Sequence, residues 1–128
     1  MREENVALLR RGYEAFARGD LETVRETFSE DVVWLTPGIV FDPEYKGVER
    51  SLEYLTRLFE LSGGTFKAEP EMFLADGDHV AVVEHVTGKR EGKGLDSHVV
   101  HVFWFRDGKV VEVTEYQSEP MKTQPFWS

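Results

Sequence analysis

The sequence contains no cysteine among its 128 residues, and this absence excludes several kinds of site. It leaves no disulfide bond, no thiolate metal ligand and no cysteine nucleophile. Positive charge is also scarce, since 15 basic residues stand against 24 acidic ones and the formal net charge is -9. A chain of this charge repels phosphate backbones and anionic lipids, so we expect no nucleic-acid partner and no membrane binding.

Long apolar runs and nucleotide-binding motifs are missing as well. No stretch approaches the roughly 18 apolar residues of a membrane-spanning helix. The first twenty residues interleave charged with apolar side chains, which is unlike a signal peptide and predicts a cytoplasmic protein. The sequence has no phosphate-binding loop, no GxSxG elbow and no dinucleotide fingerprint, so we expect no cofactor.

The composition is that of a folded chain, with 41% hydrophobic and 12% aromatic residues. This content is enough to form a core, which disordered chains of high net charge cannot do. The length is that of one domain. We expect the domain to span residues 1–118 and residues 119–128 to form a C-terminal tail.

Three helices are predicted in the first half of the chain. Apolar residues recur every three or four positions from Val6 to Phe16, and Gly19 ends that stripe. Asp20 is placed to cap a second, short helix. A third helix is predicted over residues 48–61, where two glycines in succession follow its apolar stripe.

Strands are predicted from alternating β-branched and aromatic residues. Pro70 limits its strand to a sheet edge or a bulge, and two Asp-Gly pairs predict hairpin turns. Residues 39–46 are predicted to be a loop. The predicted strands cover residues 32–36, 66–74, 79–89, 95–105 and 109–118.

Helices followed by an antiparallel meander indicate an α+β domain whose helices cover one face of a bent sheet. The strand around residue 101 is apolar on both faces. Its outer face carries Val100, Val102 and Trp104, which predicts a homodimer formed through the backs of two sheets. The alternative is that the tail, with Met121, Phe126 and Trp127, covers that face.

Three titratable residues on the predicted strands are candidates for catalysis. His101 alternates in phase with Val99 and Phe103, so its imidazole is expected to face the cavity. Glu115 shares a face with Val111, Val113 and Gln117, and Glu84 shares one with the valines at 80, 82 and 86. A bulge would instead turn His85 inward and Glu84 outward. A histidine beside a carboxylate can remove a proton next to a carbonyl or activate water.

A set of apolar and hydroxyl-bearing side chains is expected to shape a small-molecule pocket around this dyad. Its members are Trp34, Thr36, Tyr13, Tyr54, Phe103 and Gln117. His98 and His101 form an HxxH string, but three residues on a strand place the two rings on opposite faces, so we expect no metal site.

Several strings of the chain resemble the SnoaL-like proteins of the ketosteroid isomerase and nuclear transport factor 2 superfamily. They are YEAFARGDLETVRETFSEDVVWLTPG, YKGVERSLEYL and HVFWFRDGKVVEVTEYQS. The resemblance covers nearly the whole chain up to Ser118. It implies a cone-shaped α+β barrel, in which three helices close a curved, mostly antiparallel sheet over an apolar pocket, usually in a dimer.

The resemblance does not carry over the ketosteroid isomerase mechanism. The base position of that enzyme falls on Thr36, and its two oxyanion-hole positions fall on Gly12 and His101. Many relatives also end the last strand with an aspartate where this chain has Ser118. The scaffold hosts isomerases, cyclases and hydrolases, but fold alone does not give function.

We therefore expect acid-base chemistry on an apolar ring or carbonyl compound, with His101 as the base and Glu115 or Glu84 orienting it. The alternatives are a non-catalytic dimer that binds a small molecule in the same pocket, and a structural dimer whose own aromatic residues fill the cavity.

Overall fold

Four helices and one six-stranded sheet make up the described part of this computed structural model, residues 2–38 and 41–128. The sheet order is β2-β1-β6-β5-β4-β3, and only the β1–β6 pair is parallel. The predicted α+β class is confirmed. No described helix is long and apolar enough to cross a bilayer. The elements are α1 (Arg2–Ala17), α2 (Leu21–Arg25), β1 (Phe28–Leu35), β2 (Glu44–Lys46), α3 (Val48–Leu61), β3 (Lys67–Asp76), β4 (His79–Arg90), β5 (Lys93–Arg106), β6 (Lys109–Gln117) and α4 (Pro120–Trp127).

The three predicted helices form, and their ends follow local rules. The carboxylate of Asp20 accepts from the backbone N–H of Thr23 at 3.2 Å, which caps α2. Helix α3 has the predicted bounds, and Gly63 and Gly64 follow it with φ of 61° and 80°. Only glycine adopts this left-handed conformation without strain, so the helix ends there.

The predicted loop over residues 39–46 is only partly correct. Residues 39 and 40 lie outside the described residues, and Glu44–Lys46 forms β2, which pairs antiparallel with β1. Strand β1 begins earlier than predicted, at Phe28, and ends before Thr36. Phe28 therefore belongs to the sheet.

A bulge at Glu71 interrupts β3, which is an edge strand. Pro70 pairs with Glu84 and Met72 with Val83, so Glu71 is the extra residue. Beyond the bulge the strand changes phase, because one extra residue moves every following side chain to the opposite face. Simple alternation from Phe66 would place Met72 on the core face, but Phe73 packs inward and Met72 is exposed.

A second bulge lies in the last hairpin. Phe105 pairs with Val110 and Trp104 with Glu112, so Val111 is the extra residue on β6. Val110 is buried and Val111 is only half-buried. The expectation that Val111 shares the face of Glu115 is therefore wrong, and the bulge rather than simple alternation turns Glu115 inward.

The C-terminal residues form α4 on the inner side of the sheet. Phe126 and Trp127 are buried, and Trp127 contacts the rings of Phe41 and Phe66 at centroid distances of 5.7 Å. Lys93 donates to the carbonyl of Pro125 at 2.8 Å near the carboxyl end of α4. The alternative that this segment covers the outer sheet face is wrong, because the helix packs on the side of the cavity.

The packing of α4 predicts that two of its apolar residues contribute very differently to the stability of the protein. We expect Phe126→Ala to lower the free energy of unfolding by about 3–5 kcal/mol, because a 2% exposed ring is removed from the core. Met121→Ala on the same helix is the control, since Met121 is 88% exposed and its loss should change stability by less than about 0.5 kcal/mol. Urea unfolding of the two variants measures both, and equal effects would contradict the packing of α4.

Candidate functional site

The inner face of the sheet and the helices above it form the walls of a cavity. Its volume is about 90 Å³, counted as space that the centres of water molecules can reach. This is enough for several waters, since one water needs about 10–15 Å³ by the same measure. Mostly apolar and aromatic side chains line the cavity. Among them are Leu9, Tyr13, Phe16, Phe28, Trp34, Tyr54, Leu55, Leu58, Phe66, Val86, Leu95, Val99, Phe103 and Trp127.

Three adjacent strands bring two carboxylates to one imidazole in this cavity. His101 on β5 stands directly opposite Glu115 on β6, and Glu84 on β4 lies two positions away along the neighbouring strand. The Nε2 atom of His101 is 3.1 Å from Oε1 of Glu115, and its Nδ1 atom hydrogen-bonds Oε2 of Glu84. Carboxylates only accept, so a doubly protonated ring, which donates from both nitrogens, satisfies this geometry.

Two tyrosines from the helices complete the arrangement. Tyr13 of α1 donates its hydroxyl to Glu84, and Tyr54 of α3 donates to Oε1 of Glu115 at 2.9 Å. Each carboxylate therefore receives one hydroxyl from a helix and one imidazole nitrogen from the sheet. We call these five residues the carboxylate–histidine cluster.

Burial makes the charges of the cluster depend on one another. Glu84, Glu115 and His101 are 1%, 8% and 9% exposed. Burial alone would lower the pKa of His101, but the charge of Glu84, the hydrogen bonds to Glu115 and Glu84 and the charge of Glu115 raise it to about 10. Burial likewise opposes ionisation of Glu115, yet its bond to His101 holds the carboxyl pKa below its ordinary value.

The tyrosine hydroxyls are held in their neutral form. Burial raises the pKa of Tyr13 well above its ordinary value, and the charge of Glu84 and the hydrogen bond to it raise that pKa further. Burial and then Glu115 do the same for Tyr54. Both hydroxyls therefore act as hydrogen-bond donors at neutral pH.

One carboxylate oxygen in the cluster is unoccupied. Oε2 of Glu84 accepts from Tyr13 and His101, but its Oε1 has no hydrogen-bond partner among the described residues. Both oxygens of Glu115 are engaged, because Gln117 donates to Oε2 at 2.9 Å. Glu84 lines the cavity and therefore offers it a free acceptor.

Most of the predicted site residues lie together around the cavity. Trp34, Tyr13, Tyr54, Phe103 and Gln117 all line it beside the three titratable residues. Thr36 does not: it follows the end of β1, its hydroxyl donates to the carbonyl of Asp42, and it lines a smaller neighbouring pocket. The strand that would have carried it into the cavity ends one residue too early.

The choice between Glu84 and His85 is settled by the register of β4. Glu84 points inward, whereas His85 lies on the outer face and pairs with Asp96 at 2.6 Å. The bulge that the alternative requires lies on β3 instead. His98 is also on the outer face, beside Glu71, and the described residues contain no cluster suited to a metal ion.

Two cavity residues were missed because α4 was not predicted. Thr123 and Trp127 line the cavity, and Thr123 donates to Gln117 at 2.9 Å. Pro120 at the first turn and the apolar pair near the carboxyl end are the signals that could have indicated this helix. No local signal indicates that Tyr13 and Tyr54 each meet a carboxylate, because those contacts join residues 71 and 61 positions apart.

Comparison with known proteins finds a family and several close structures. The model of the SnoaL-like domain matches residues 9–113. Rv0034 of Mycobacterium tuberculosis is 28% identical over 98% of each chain. Bal32a, from a soil-derived mobile gene cassette, is 35% identical over 99% of this chain and 98% of its own, with a TM-score of 0.96. A cystatin-like protein of Xanthomonas campestris is 28% identical over 97% and 98% of the two chains, with a TM-score of 0.89.

The buried imidazolium predicts a specific pH dependence of stability. A folded-state pKa of about 10 lies above the value of about 6.5 in an unfolded chain. The bound proton therefore contributes stability that is fully present below about pH 6.5 and is lost as the pH rises through about 10. Two-dimensional NMR of the imidazole should show no titration of His101 between pH 5 and about 8.

The variant His101→Phe tests the same point by denaturant unfolding. It leaves both carboxylates unpaired, so we expect a loss of about 3–5 kcal/mol at pH 7 that becomes smaller in acid, where the carboxylates take up protons. The same substitution at exposed His79 is the control and should keep the wild-type pH dependence. A loss at position 101 that stays constant with pH would contradict the ionic cluster.

Proposed function

Because this chain belongs to the SnoaL-like domain family, which matches its residues 9–113, we propose that it binds an apolar ring or carbonyl compound and moves a proton on it. The carboxylate–histidine cluster in the wall of an apolar cavity carries this proposal. Apolar pockets with a few convergent polar groups are typical of small-molecule sites, and perturbed pKa values are typical of catalytic ones. The reaction class is that of an isomerase, a cyclase or a hydrolase.

The proton acceptor in this proposal is Glu84 rather than His101. The sequence favours His101 as the base, but a pKa of about 10 keeps its ring protonated, and both nitrogens are bonded to carboxylates. Oε1 of Glu84 is the carboxylate oxygen of the cluster to which none of the described residues donates. His101 and Tyr13 hold the other oxygen of Glu84 in place and disperse its charge.

The proposed step is proton abstraction from the carbon beside a carbonyl group. The C–H electron pair moves towards the carbonyl oxygen as the proton passes to Oε1 of Glu84, which then returns it to another position. The same carboxylate can take a proton from a water molecule that attacks the substrate. His101 acts as a positioning residue in both cases, since it touches the carboxylates rather than the reacting atoms.

Deuterium exchange tests the proton transfer without knowledge of the natural substrate. We expect the protein to accelerate exchange beside the carbonyl in some members of a panel of cyclic ketones in D₂O, followed by NMR. Glu84→Gln should reduce that acceleration by at least about 100-fold, because an amide cannot accept the proton. Glu112→Gln on the outer face is the matched control and should leave the rate unchanged.

The result separates two functions. Satisfied hydrogen bonds at both His101 nitrogens and at three of the four carboxylate oxygens are also what a non-catalytic binding protein would show. Ketones that bind and shift the protein's NMR signals without any accelerated exchange would favour that second function. Exchange that persists unchanged in Glu84→Gln would exclude Glu84 as the base.

We also propose that two copies associate through the outer face of the sheet. Met72, Val83, Val100 and Tyr116 stand side by side across four strands, and Met72 and Tyr116 are 50% and 55% exposed. Since α4 lies on the other side, no described helix covers this row. A second copy of the same face would bury the row symmetrically.

Sedimentation velocity over a range of concentrations tests the dimer. We expect the wild-type chain to sediment as a dimer and Val102→Lys to shift it to the monomer, because a lysine on each copy would meet apolar surface at the interface. The variant should still fold, since Val102 is only half-buried within one chain. Glu60→Lys on the exposed side of α3 is the control for the added charge, and a wild-type monomer would refute this interface.

A further inference from the structure

The cavity carries more negative than positive charge. Two carboxylates, Glu84 and Glu115, face one imidazole, so a fully protonated His101 still leaves one net negative charge. No lysine or arginine occurs among the described residues that line the cavity. The excess charge is therefore not balanced by the protein within the site.

The remaining polar contacts of the cluster supply dipoles and no charge. Tyr13, Tyr54 and Gln117 all donate hydrogen bonds to the carboxylates as neutral groups. Oε1 of Glu84 has no donor from the described residues, although Glu84 is only 1% exposed. This oxygen lines the cavity without a protein donor, so its position favours a ligand that brings a donor and a positive charge.

Aromatic rings stand beside the imidazole of the cluster. The ring of Trp34 stands edge-on to His101 at 5.3 Å and to Tyr54 at 5.9 Å, and Phe103 lies 5.9 Å from His101. The faces of aromatic rings attract cations, and this attraction is strongest where water is excluded. Aromatic walls with a carboxylate between them are a common design for binding ammonium groups.

We infer that the ligand of this cavity is an apolar ring compound bearing a protonated amine, which binds with its ammonium group against the carboxylate–histidine cluster. The inference rests on the proposed small-molecule function and names the class of ligand. Glu84 and Glu115 are only 1% and 8% exposed, so folding has already removed most of their hydration and binding costs mainly that of the ammonium.

Three series of probes that differ in charge test the inference. Benzylammonium, benzyl alcohol and benzoate share one ring and carry one positive charge, none and one negative charge. The corresponding cyclohexyl and naphthyl compounds extend the series to other ring shapes. Isothermal titration calorimetry at pH 7 measures each dissociation constant.

We expect the ammonium compound of at least one ring shape to bind about tenfold tighter than its alcohol, and the carboxylate to bind more weakly than either. Glu84→Gln and Glu115→Gln each remove the excess negative charge, so either variant should abolish the preference for the ammonium. Either variant alone tests the inference, so the experiment remains decisive if one of the two fails to fold. Glu112→Gln keeps the cavity charge and should keep the preference.

The outcomes distinguish the inference from the function on which it rests. If the alcohols bind as tightly as the ammonium compounds or tighter, the cluster is neutral in the free protein and the inference is wrong, while the small-molecule function stands. If none of the probes binds, both fail. An ammonium preference that survives in both Gln variants would also overturn the inference, because the cluster would not be its source.

Discussion

A histidine that donates to two buried carboxylates joins three neighbouring strands at one point inside this protein. His101 receives its charge from the contact with Glu84 and Glu115, and the same contact keeps Glu115 ionised in an apolar cavity. Neither partner is stable there alone, since an unpaired buried charge costs several kcal/mol. The tyrosines of α1 and α3 depend on this pairing in turn, because their hydroxyls donate to the same two carboxylates. The polar contents of the cavity thus form one interdependent unit.

The α+β class, three of the helices and the approximate strand positions follow from the sequence, because they depend on local periodicity and turn residues. The bounds of α3 and the capping role of Asp20 are examples. His101 and Glu84 could be selected for the same reason: each is a titratable residue in phase with valines or aromatic residues on a strand whose register is regular. Their selection needs only the pattern of the few residues on either side of each.

Bulges and long-range contacts account for what the sequence could not predict. The face of Glu115 was anticipated, but from an alternation with Val111 that does not exist in the folded strand. The extra residue in β3 likewise exposes Met72. The only sequence sign of this bulge is the neighbouring Pro70, because a glutamate at position 71 does not itself indicate an extra residue. The fourth helix was not predicted, because its eight residues with an internal proline show little helical periodicity. Its effect on the cavity depends on packing, which only the folded chain reveals.

The bulge at Val111 decides which residue of β6 stands opposite His101. If every residue after the Asp107-Gly108 turn paired in succession, Thr114 would lie opposite His101 and Glu115 would turn to the outer face. The presence of one unpaired residue close to a surface turn thus decides whether the interior receives a carboxylate or a hydroxyl, without altering any residue of the site. A scaffold of this kind can acquire or lose an acidic group through a change in strand register alone. Relatives of similar shape can therefore differ in chemistry even where their site residues align.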